Sequence, residues 1–157
     1  MNVNGLSPED CNVPNEITIS TGQVEIPSWV ESYIGLPFRE HGRGRDGVDC
    51  WGLVRLVLAA QFDIDLPAYV TGYASTEDAA DIARLIRGEM GPWVETKTSR
   101  LGDAVLMRLR AQPCHVGVIV APGWMLHVED GVDSCVDRYD GPRWSRRVVG
   151  LFRYCGS

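Results

Sequence analysis

The stretch "GVDCWGLVRLVL", residues 47–58, decides the predicted fold, because its cysteine stands where a glycine-rich loop turns into an apolar run. From Asp49 to about Gln61 the sequence is apolar nearly all round, with Arg55 as the only charge after Asp49. A helix of this kind belongs in the middle of a fold. Asp49 is a favoured N-cap residue, so Cys50 is predicted to lie in the first turn of that helix.

This position suits a reactive thiol. The unpaired N–H groups of the first turn and the positive end of the helix dipole stabilise a thiolate, which a free thiol with a pKa of about 8.5 rarely forms at neutral pH. With Asp49 as cap, the N–H groups of Cys50 and Trp51 could also hold the oxyanion that forms when a carbonyl is attacked. The alternative is a structural cysteine that happens to begin a helix.

The segments around this helix predict an α+β fold. Residues 1–25 are polar and rich in turns. They are interpreted as an extension or arm, with a flexible terminus as the alternative. Residues 26–157 form the predicted domain. "IPSWVESYIG" predicts a short helix that begins after Pro27 and stops at Gly35, and residues 75–91 predict an amphipathic helix.

Beyond residue 92 the hydrophobic period changes to two, which is typical of β-strands. Helices followed by a strand meander indicate an antiparallel sheet. The predicted strands are "DAVLMRL", "HVGVIVA", "WMLHVED", "GVDSCVDRY" and "RRVVGLFRY".

Composition narrows the function classes. The chain has 157 residues, enough for one domain with a real core, and its net charge of −6 argues against a nucleic-acid partner. No run is long enough for a membrane span, and the start lacks signal-peptide features, so synthesis in the cytoplasm without a signal peptide is expected. Five widely spaced cysteines with no C-x-x-C pair argue against a disulfide framework and against a structural zinc site.

A nucleophilic thiol needs a base, and the chain has only three histidines, His41, His115 and His127. The last two stand 12 positions apart on consecutive predicted strands. A three-residue loop centred near Ala121 places them opposite each other, and centring on Pro122 makes them diagonal neighbours. A two-residue Pro122–Gly123 turn sends them to opposite faces, but Pro-Gly fits hairpin twist poorly. A histidine pair is therefore favoured over two separate surface histidines.

Together the three side chains form a plausible catalytic set. Cys50 attacks, His115 takes its proton and later returns it to the leaving amine, and His127 fixes the tautomer of His115. The same three residues could in principle ligate zinc, but nothing in their spacing favours this. No metal and no cofactor are therefore expected.

The motif around Cys50 resembles the "DC-x-GLV" signature of the NlpC/p60 cysteine peptidases, which have a papain-like fold. "LGDAVLM" resembles the strand before their histidine, and "HVGVIVAPGWMLHV" resembles their histidine strand and the third polar residue 12 positions on. The resemblance covers about residues 28–154. It implies Cys50 as nucleophile, His115 as base and His127 as orienting residue. Members cleave stem peptides or crosslinks of peptidoglycan, commonly the bond between γ-D-glutamyl and a diamino acid.

Trp51 stands after the cysteine, where serine is usual. In this feature the sequence resembles the subgroup encoded with phage tails and gene transfer agents. This implies a location at the virion tail tip, neighbouring tail-tip or baseplate proteins as partners, and transport of the protein by the particle itself. Many cell-wall members carry a tyrosine upstream of the cysteine, near the oxyanion site. Phe38 occupies the matching position here and lacks the hydroxyl.

Two loop arginines, Arg43 and Arg45, are candidates for binding the carboxylates of stem peptides, although a solvated loop is the simpler interpretation. "GRGRDG", residues 42–47, matches G-x-G-x-x-G but follows no strand, so it is interpreted as a tight bend rather than a dinucleotide site. Cys114 is interpreted as core. "RWSRR" with Arg138 and Arg153 is interpreted as an exposed sheet edge, with a docking surface for an acidic partner as the alternative.

The leading hypothesis is a thiol hydrolase of peptidoglycan peptides carried on a phage-type tail tip. One alternative is a structural tail-tip or baseplate component whose catalytic set is blocked or dispensable. Another is a thiol amidase or acyltransferase on the same fold.

Overall fold

The computed structural model describes residues 19–20, 23–66, 92–109 and 112–156. The first short strands, β1 (Ile19–Ser20) and β2 (Gln23–Val24), pair with each other. The rest of the predicted arm and the amphipathic helix predicted at residues 75–91 lie outside the described residues. A 3₁₀ helix follows at Ser28–Tyr33, with Pro27 as its N-cap, where the sequence predicted a short helix.

The core of the fold is one six-stranded antiparallel sheet in the order β5-β10-β6-β7-β8-β9. Its strands are β5 (Trp93–Thr96), β6 (Ala104–Leu109), β7 (Gln112–Ala121), β8 (Trp124–Glu129), β9 (Val132–Arg138) and β10 (Val148–Tyr154). The α+β prediction with an antiparallel sheet is confirmed. The edge strand β5, which pairs with β10, was not individually predicted.

The central helix α1 (Cys50–Phe62) begins and ends close to its predicted bounds. The Asp49 side chain caps it by accepting the Gly52 backbone N–H at 2.7 Å. Asp63 ends it in the left-handed conformation, with φ of 56°. Most of its side chains are buried against β7 and β8. Arg55 reaches the Leu66 carbonyl at 2.8 Å, which gives the one charge of this apolar helix a polar partner.

Alternation along the strands gives the sheet two different faces. On one face Val116, Val118 and Leu126 join the large core that contains the apolar residues of α1. On the other face Ile119 and Met125 belong to a smaller cluster. The members of this cluster are Val105, Met107, Ile119, Met125 and Trp144.

The sequence prediction for the turn between β7 and β8, a three-residue loop, is wrong. The turn is the two-residue Pro122–Gly123 connection, with Ala121 opposite Trp124 and φ of +86° at Gly123. This positive φ suits the second central position of a type II turn, which Pro-Gly prefers. A β-bulge then changes the register, so Ile119 lies opposite Met125. The extra residue restores the parity that the turn alone would reverse.

The interpretation of Arg153 as part of an exposed edge is wrong. Its side chain is completely buried, and its guanidinium donates to both carboxylate oxygens of Asp103, each at 2.9 Å. It also donates to the Thr98 carbonyl at 2.8 Å. Burial raises the pKa of Asp103, and the hydrogen bond from Arg153 acts against that rise. Residues 103 and 153 meet only because β6 and β10 are neighbours, which the local sequence does not reveal.

Two of the cysteines, Cys50 and Cys135, are free thiols. Cys155 is disulfide-bonded, a cross-link that the sequence did not predict. The side chain of Cys114 lies outside the described residues. Among the described residues, no helix has the length and apolar character that a membrane crossing requires.

Candidate active site

Cys50 is the first residue of α1, as predicted, and its half-buried thiol packs at the margin of the large core. The first intrahelical donor is the N–H of Leu53, which bonds to the Asp49 carbonyl at 2.9 Å. The N–H groups of Cys50 and Trp51 therefore precede the regular helical ladder and stand at the positive end of the helix. Trp51 itself is buried.

The carboxylate of Asp49 fixes the start of α1 from several sides. One oxygen accepts the Gly52 N–H at 2.7 Å and the Arg43 guanidinium at 2.8 Å. The other accepts the His41 backbone N–H at 3.0 Å. A lone carboxylate beside Cys50 would oppose a thiolate there, and the positive charge of Arg43 offsets this effect.

The loop before Cys50 is a narrow hairpin of β3 (Arg43–Gly44) and β4 (Gly47–Val48). Its glycines allow backbone contacts that no side chain would permit. A Cβ atom at Gly42 would overlap the Gly47 carbonyl, and one at Gly52 would overlap the Gly42 carbonyl. The segment therefore packs directly on the first turn of α1, in agreement with its interpretation as a tight bend.

The three cleft candidates contact the protein itself. Arg43 holds the cap, with only 13% of its side chain exposed. Arg45 is more exposed, donates to the Ser32 carbonyl at 2.5 Å and lies 4.6 Å above the Tyr33 ring. Phe38 is partly buried against the large core, and its backbone forms an isolated parallel β-bridge with Val48. Of the three residues, Arg45 is the best placed to reach a ligand from the surface.

The two predicted histidines meet on the sheet. His115 Nε2 and His127 Nδ1 are 2.9 Å apart, and the ring centroids are separated by 5.2 Å. The register places them as diagonal neighbours, because Val118 lies opposite Leu126. Gly117 faces His127, where a Cβ would stand 3.3 Å from the His127 Cβ. The predicted pairing of the imidazoles is confirmed, in the diagonal form.

Both rings are buried, with 2% of His115 and 1% of His127 exposed. Burial lowers the pKa of His115 to about 3, with further lowering from His127 and Arg143. Burial also lowers the pKa of His127, although the charges of Asp137 and Glu129 act in the opposite direction. Both imidazoles are therefore neutral at neutral pH, so each ring has one N–H donor and one nitrogen acceptor.

Trp144, from the segment between β9 and β10, covers the pair. Its ring stacks on His115 at 5.2 Å with 19° between the planes, and meets His127 edge-on at 5.3 Å. Its Nε1 donates to Asp137 at 2.9 Å. The same Asp137 oxygen lies 3.6 Å from His127 Nε2, and the Cys135 sulfur lies 3.7 Å from that nitrogen.

Asp137, Cys135 and Trp144 were not predicted as site residues. Cys135 and Asp137 alternate on the predicted strand "GVDSCVDRY", so a correct β8–β9 register would have placed them beside His127. Within the described part of the chain, the polar and aromatic contacts of His115 are with His127 and Trp144. Both imidazoles stand on the sheet face of the smaller cluster, whereas α1 packs on the face of the large core. The pairing of His115 with Cys50 therefore belongs to the proposed function.

The contact between His115 and His127 limits which of their ring nitrogens can bind another group. One nitrogen of each ring is used in the contact between them. Across residues 25–66, 92–109 and 115–156, no group of three or more His, Cys, Asp or Glu side chains has the arrangement of a metal site.

These features describe a papain-like α+β domain with a cysteine at a helix N-terminus and a histidine pair on the sheet. The model of the NlpC/P60 family matches residues 35–153, and the chain belongs to this family of cysteine peptidases.

Curated relatives come from Escherichia coli. The chain is 27% identical over 113 residues to "Murein DD-endopeptidase MepS/Murein LD-carboxypeptidase" of strain K12, covering 72% of the chain and 53% of that protein. It is 30% identical over 83 residues to "Probable endopeptidase NlpC" of the same strain, covering 53% of the chain and 52% of that protein. The chain spans about half the length of the curated relatives it matches.

Solved structures agree on the fold. An NlpC/P60 family protein from Bacillus cereus superposes with a TM-score of 0.58 at 17% identity, covering 88% of this chain and 44% of that one. The NlpC/p60 domain of the peptidoglycan hydrolase SagA superposes with a TM-score of 0.53 at 18% identity, covering 79% of this chain and 92% of that one.

Proposed function

We propose that this domain is a cysteine peptidase that hydrolyses the stem peptides of peptidoglycan. Its main support is the contact of 2.9 Å between His115 Nε2 and His127 Nδ1, in a chain that starts its central helix with Cys50. Membership of the NlpC/P60 family and similarity to a murein endopeptidase agree with this activity. Cys50 is the nucleophile, His115 the base and His127 the orienting residue.

The contact between the histidines determines which ring nitrogen of His115 accepts the thiol proton in the proposed reaction. Because Nε2 of His115 faces His127, its other nitrogen, Nδ1, is the one that serves Cys50. His115 accepts a proton at Nδ1 only when its own proton sits on Nε2 and is donated to His127. The low pKa keeps His115 neutral before the reaction but also weakens it as a base. The developing negative charge on the Cys50 sulfur raises this pKa as the proton moves to the ring.

The reaction follows from these roles. The thiol proton of Cys50 moves to His115 Nδ1 as the sulfur attacks the peptide carbonyl, and the oxyanion is held near the N–H groups of Cys50 and Trp51. When the carbon–nitrogen bond breaks, the leaving amine takes the proton from His115. Water then attacks the thioester, gives a proton to His115, and the released sulfur recovers it.

The more specific part of the proposal concerns which peptide bond is cleaved and where the protein is located. We infer cleavage between γ-D-glutamyl and a diamino acid, at the tip of a phage-like tail among other tail-tip or baseplate proteins. The bond is supported by the resemblance to the wider family, and the location by the resemblance that Trp51 carries to the phage tail and gene transfer agent subgroup. Phe38 in place of tyrosine implies an oxyanion site that relies on backbone N–H groups.

Digestion of purified sacculi tests the activity. The wild type should release soluble fragments, Cys50→Ala should release none, and Asp133→Asn, which changes an exposed side chain on β9, should match the wild type. Mass spectrometry of the fragments identifies the bond. Equal failure of wild type and Cys50→Ala would reject the hydrolase and favour a structural component, whereas acyl transfer without net hydrolysis would favour an acyltransferase.

Infection assays test the location. Particles that carry Cys50→Ala should assemble normally but infect less efficiently when the cell wall must be penetrated. Unchanged infectivity would contradict a catalytic role at the tail tip, even if the purified domain digests sacculi.

A further inference from the structure

One carboxylate beside the histidine pair has no role in the reaction proposed above. Asp137 on β9 places Oδ2 3.6 Å from His127 Nε2, with 33% of its side chain exposed. The same oxygen accepts the Trp144 Nε1 hydrogen bond at 2.9 Å. Since Trp144 also stacks on His115, one indole contacts the base and holds the carboxylate at the far end of the pair.

We propose that Asp137, held by Trp144, is a positioning residue that determines which ring nitrogens of His127 and His115 carry protons. The catalytic consequence rests on the proposed function, but the proton arrangement itself does not. The inference concerns the orientation of a proton chain and places no further group in contact with substrate.

The proton arrangement follows from the geometry. An ionised carboxylate only accepts hydrogen bonds, so Asp137 favours the tautomer of His127 that has its proton on Nε2. His127 Nδ1 is then an acceptor, and the 2.9 Å contact requires His115 to donate from Nε2. His115 Nδ1 is left with a lone pair, which is the state that a base for Cys50 needs. The opposite tautomer of His127 would put the His115 proton on Nδ1 and block proton uptake there.

Asp137 is ionised under ordinary conditions. Burial acts to raise the pKa of Asp137, but hydrogen bonds from Trp144 and the Arg138 backbone, with the charge of Arg143, lower it overall. At 3.6 Å the contact with His127 is longer than a good hydrogen bond. The carboxylate therefore acts through its charge on the N–H dipole, and the contact can shorten when substrate binds.

Cys135 competes for the same nitrogen. Its sulfur is 3.7 Å from His127 Nε2, and burial raises the pKa of this thiol, so it keeps its proton. A thiol that donated to Nε2 would impose the wrong tautomer. The S–H group is a weak donor, whereas a full negative charge gives a stronger interaction, so Asp137 decides the outcome.

Burial keeps the His127 ring neutral, and the remaining charged groups around it do not select the tautomer. Glu129 on β8 is ion-paired with Arg143, which also lies 3.6 Å from Asp137. Glu129 and Asp137 act to raise the pKa of His127, but burial and Arg143 lower it overall. The ring therefore carries one proton, and the only question is which nitrogen holds it.

Kinetics of Asp137→Asn measures the catalytic consequence. A base contributes roughly 10²–10⁴ in rate, and a group acting through another ring should contribute less, so kcat should fall by about 10- to 100-fold with little change in KM. Asp137→Glu keeps the charge and should restore kcat toward the wild-type value. Asp133→Asn on the same strand serves as the control. A kcat of Asp137→Asn equal to that of the wild type would overturn the proposal.

NMR of the imidazole nitrogens measures the proton arrangement without substrate. In the wild type both His127 and His115 should carry their protons on Nε2, and in Asp137→Asn the share of this tautomer should fall. A wild-type His127 protonated on Nδ1, or tautomers unchanged in Asp137→Asn, would overturn the proposal. If sacculi are not cleaved at all, the proposed function fails while this measurement still decides the role of Asp137.

Discussion

The low pKa of His115 makes a prediction about stability that needs no substrate. The folded protein holds this imidazole neutral down to a pH of about 3, whereas the unfolded chain protonates it near 6.5. Between these values the unfolded state binds more protons than the folded state, so stability decreases as the pH falls. The contribution of His115 is fully present above pH 6.5 and is lost progressively below it.

The size of the effect follows from the same numbers. Going from pH 7 to pH 5 moves the unfolded imidazole about 1.5 pH units below its pKa, and each unit corresponds to about 1.4 kcal/mol. His115 alone should therefore cost about 2 kcal/mol of unfolding free energy over this range. For a domain of this size that corresponds to a decrease in Tm of about 4–8 °C.

Urea denaturation of the wild type and His115→Gln at pH 7 and pH 5 measures this contribution, because titrating groups away from the histidine pair affect both proteins alike. Glutamine cannot be protonated, so the variant should lose about 2 kcal/mol less than the wild type between the two values. Asp133→Asn should keep the wild-type dependence. Parallel pH dependences of wild type and His115→Gln, with unchanged m-values, would refute the inference that the folded protein keeps His115 neutral.

Three further predictions concern other parts of the structure. At neutral pH iodoacetamide should label Cys50 at least about tenfold faster than Cys135, whose thiol pKa is raised by burial, and mass spectrometry of the labelled peptides gives the ratio. Equal rates would contradict an activated thiol at Cys50. Asp49→Ala should reduce the unfolding free energy in urea by about 1–2 kcal/mol, because it removes the N-cap of α1. Asp103→Asn should cost about 3–5 kcal/mol in the same assay, because it leaves Arg153 buried and charged without its partner. A decrease in unfolding free energy below about 1 kcal/mol would mean that the pair of Asp103 and Arg153 contributes no more than an exposed salt bridge.

Strong local patterns predicted the elements that they encode. The apolar run after Asp49 gave a helix within about a residue of its observed bounds, because a capping residue and an unbroken apolar run are local properties. The alternating segments gave five of the six main strands. The edge strand β5 has only four residues, too few for alternation to distinguish it from a loop.

Site residues were predictable only where the chain order brings them together. His115 and His127 belong to one hairpin, so their parity could be tested from the sequence. Asp137 and Trp144 reach the same place through the next hairpin and the segment after it. The buried pair of Asp103 and Arg153 joins residues 50 positions apart, and nothing local distinguishes that arginine from an exposed one.

The two hairpins around β8 show why the sequence predicted the histidine pair by the wrong route. Each has a two-residue connection, with Ala121 opposite Trp124 in one and Glu129 opposite Val132 in the other. Without bulges, the first turn would place His127 on the face opposite His115. The second turn would likewise pair it with a neighbour of Cys135 rather than with Cys135 itself.

A bulge in each hairpin corrects both registers. The first restores Ile119 opposite Met125, and the second places His127 opposite Cys135, with Asp137 two residues further on the same face. One extra residue in a strand reverses the faces of everything between it and the turn. The position of the histidine pair and its carboxylate therefore depends on two backbone irregularities that flank His127. Removing either bulge should separate the imidazoles from each other or from Asp137, even with every side chain of the site intact.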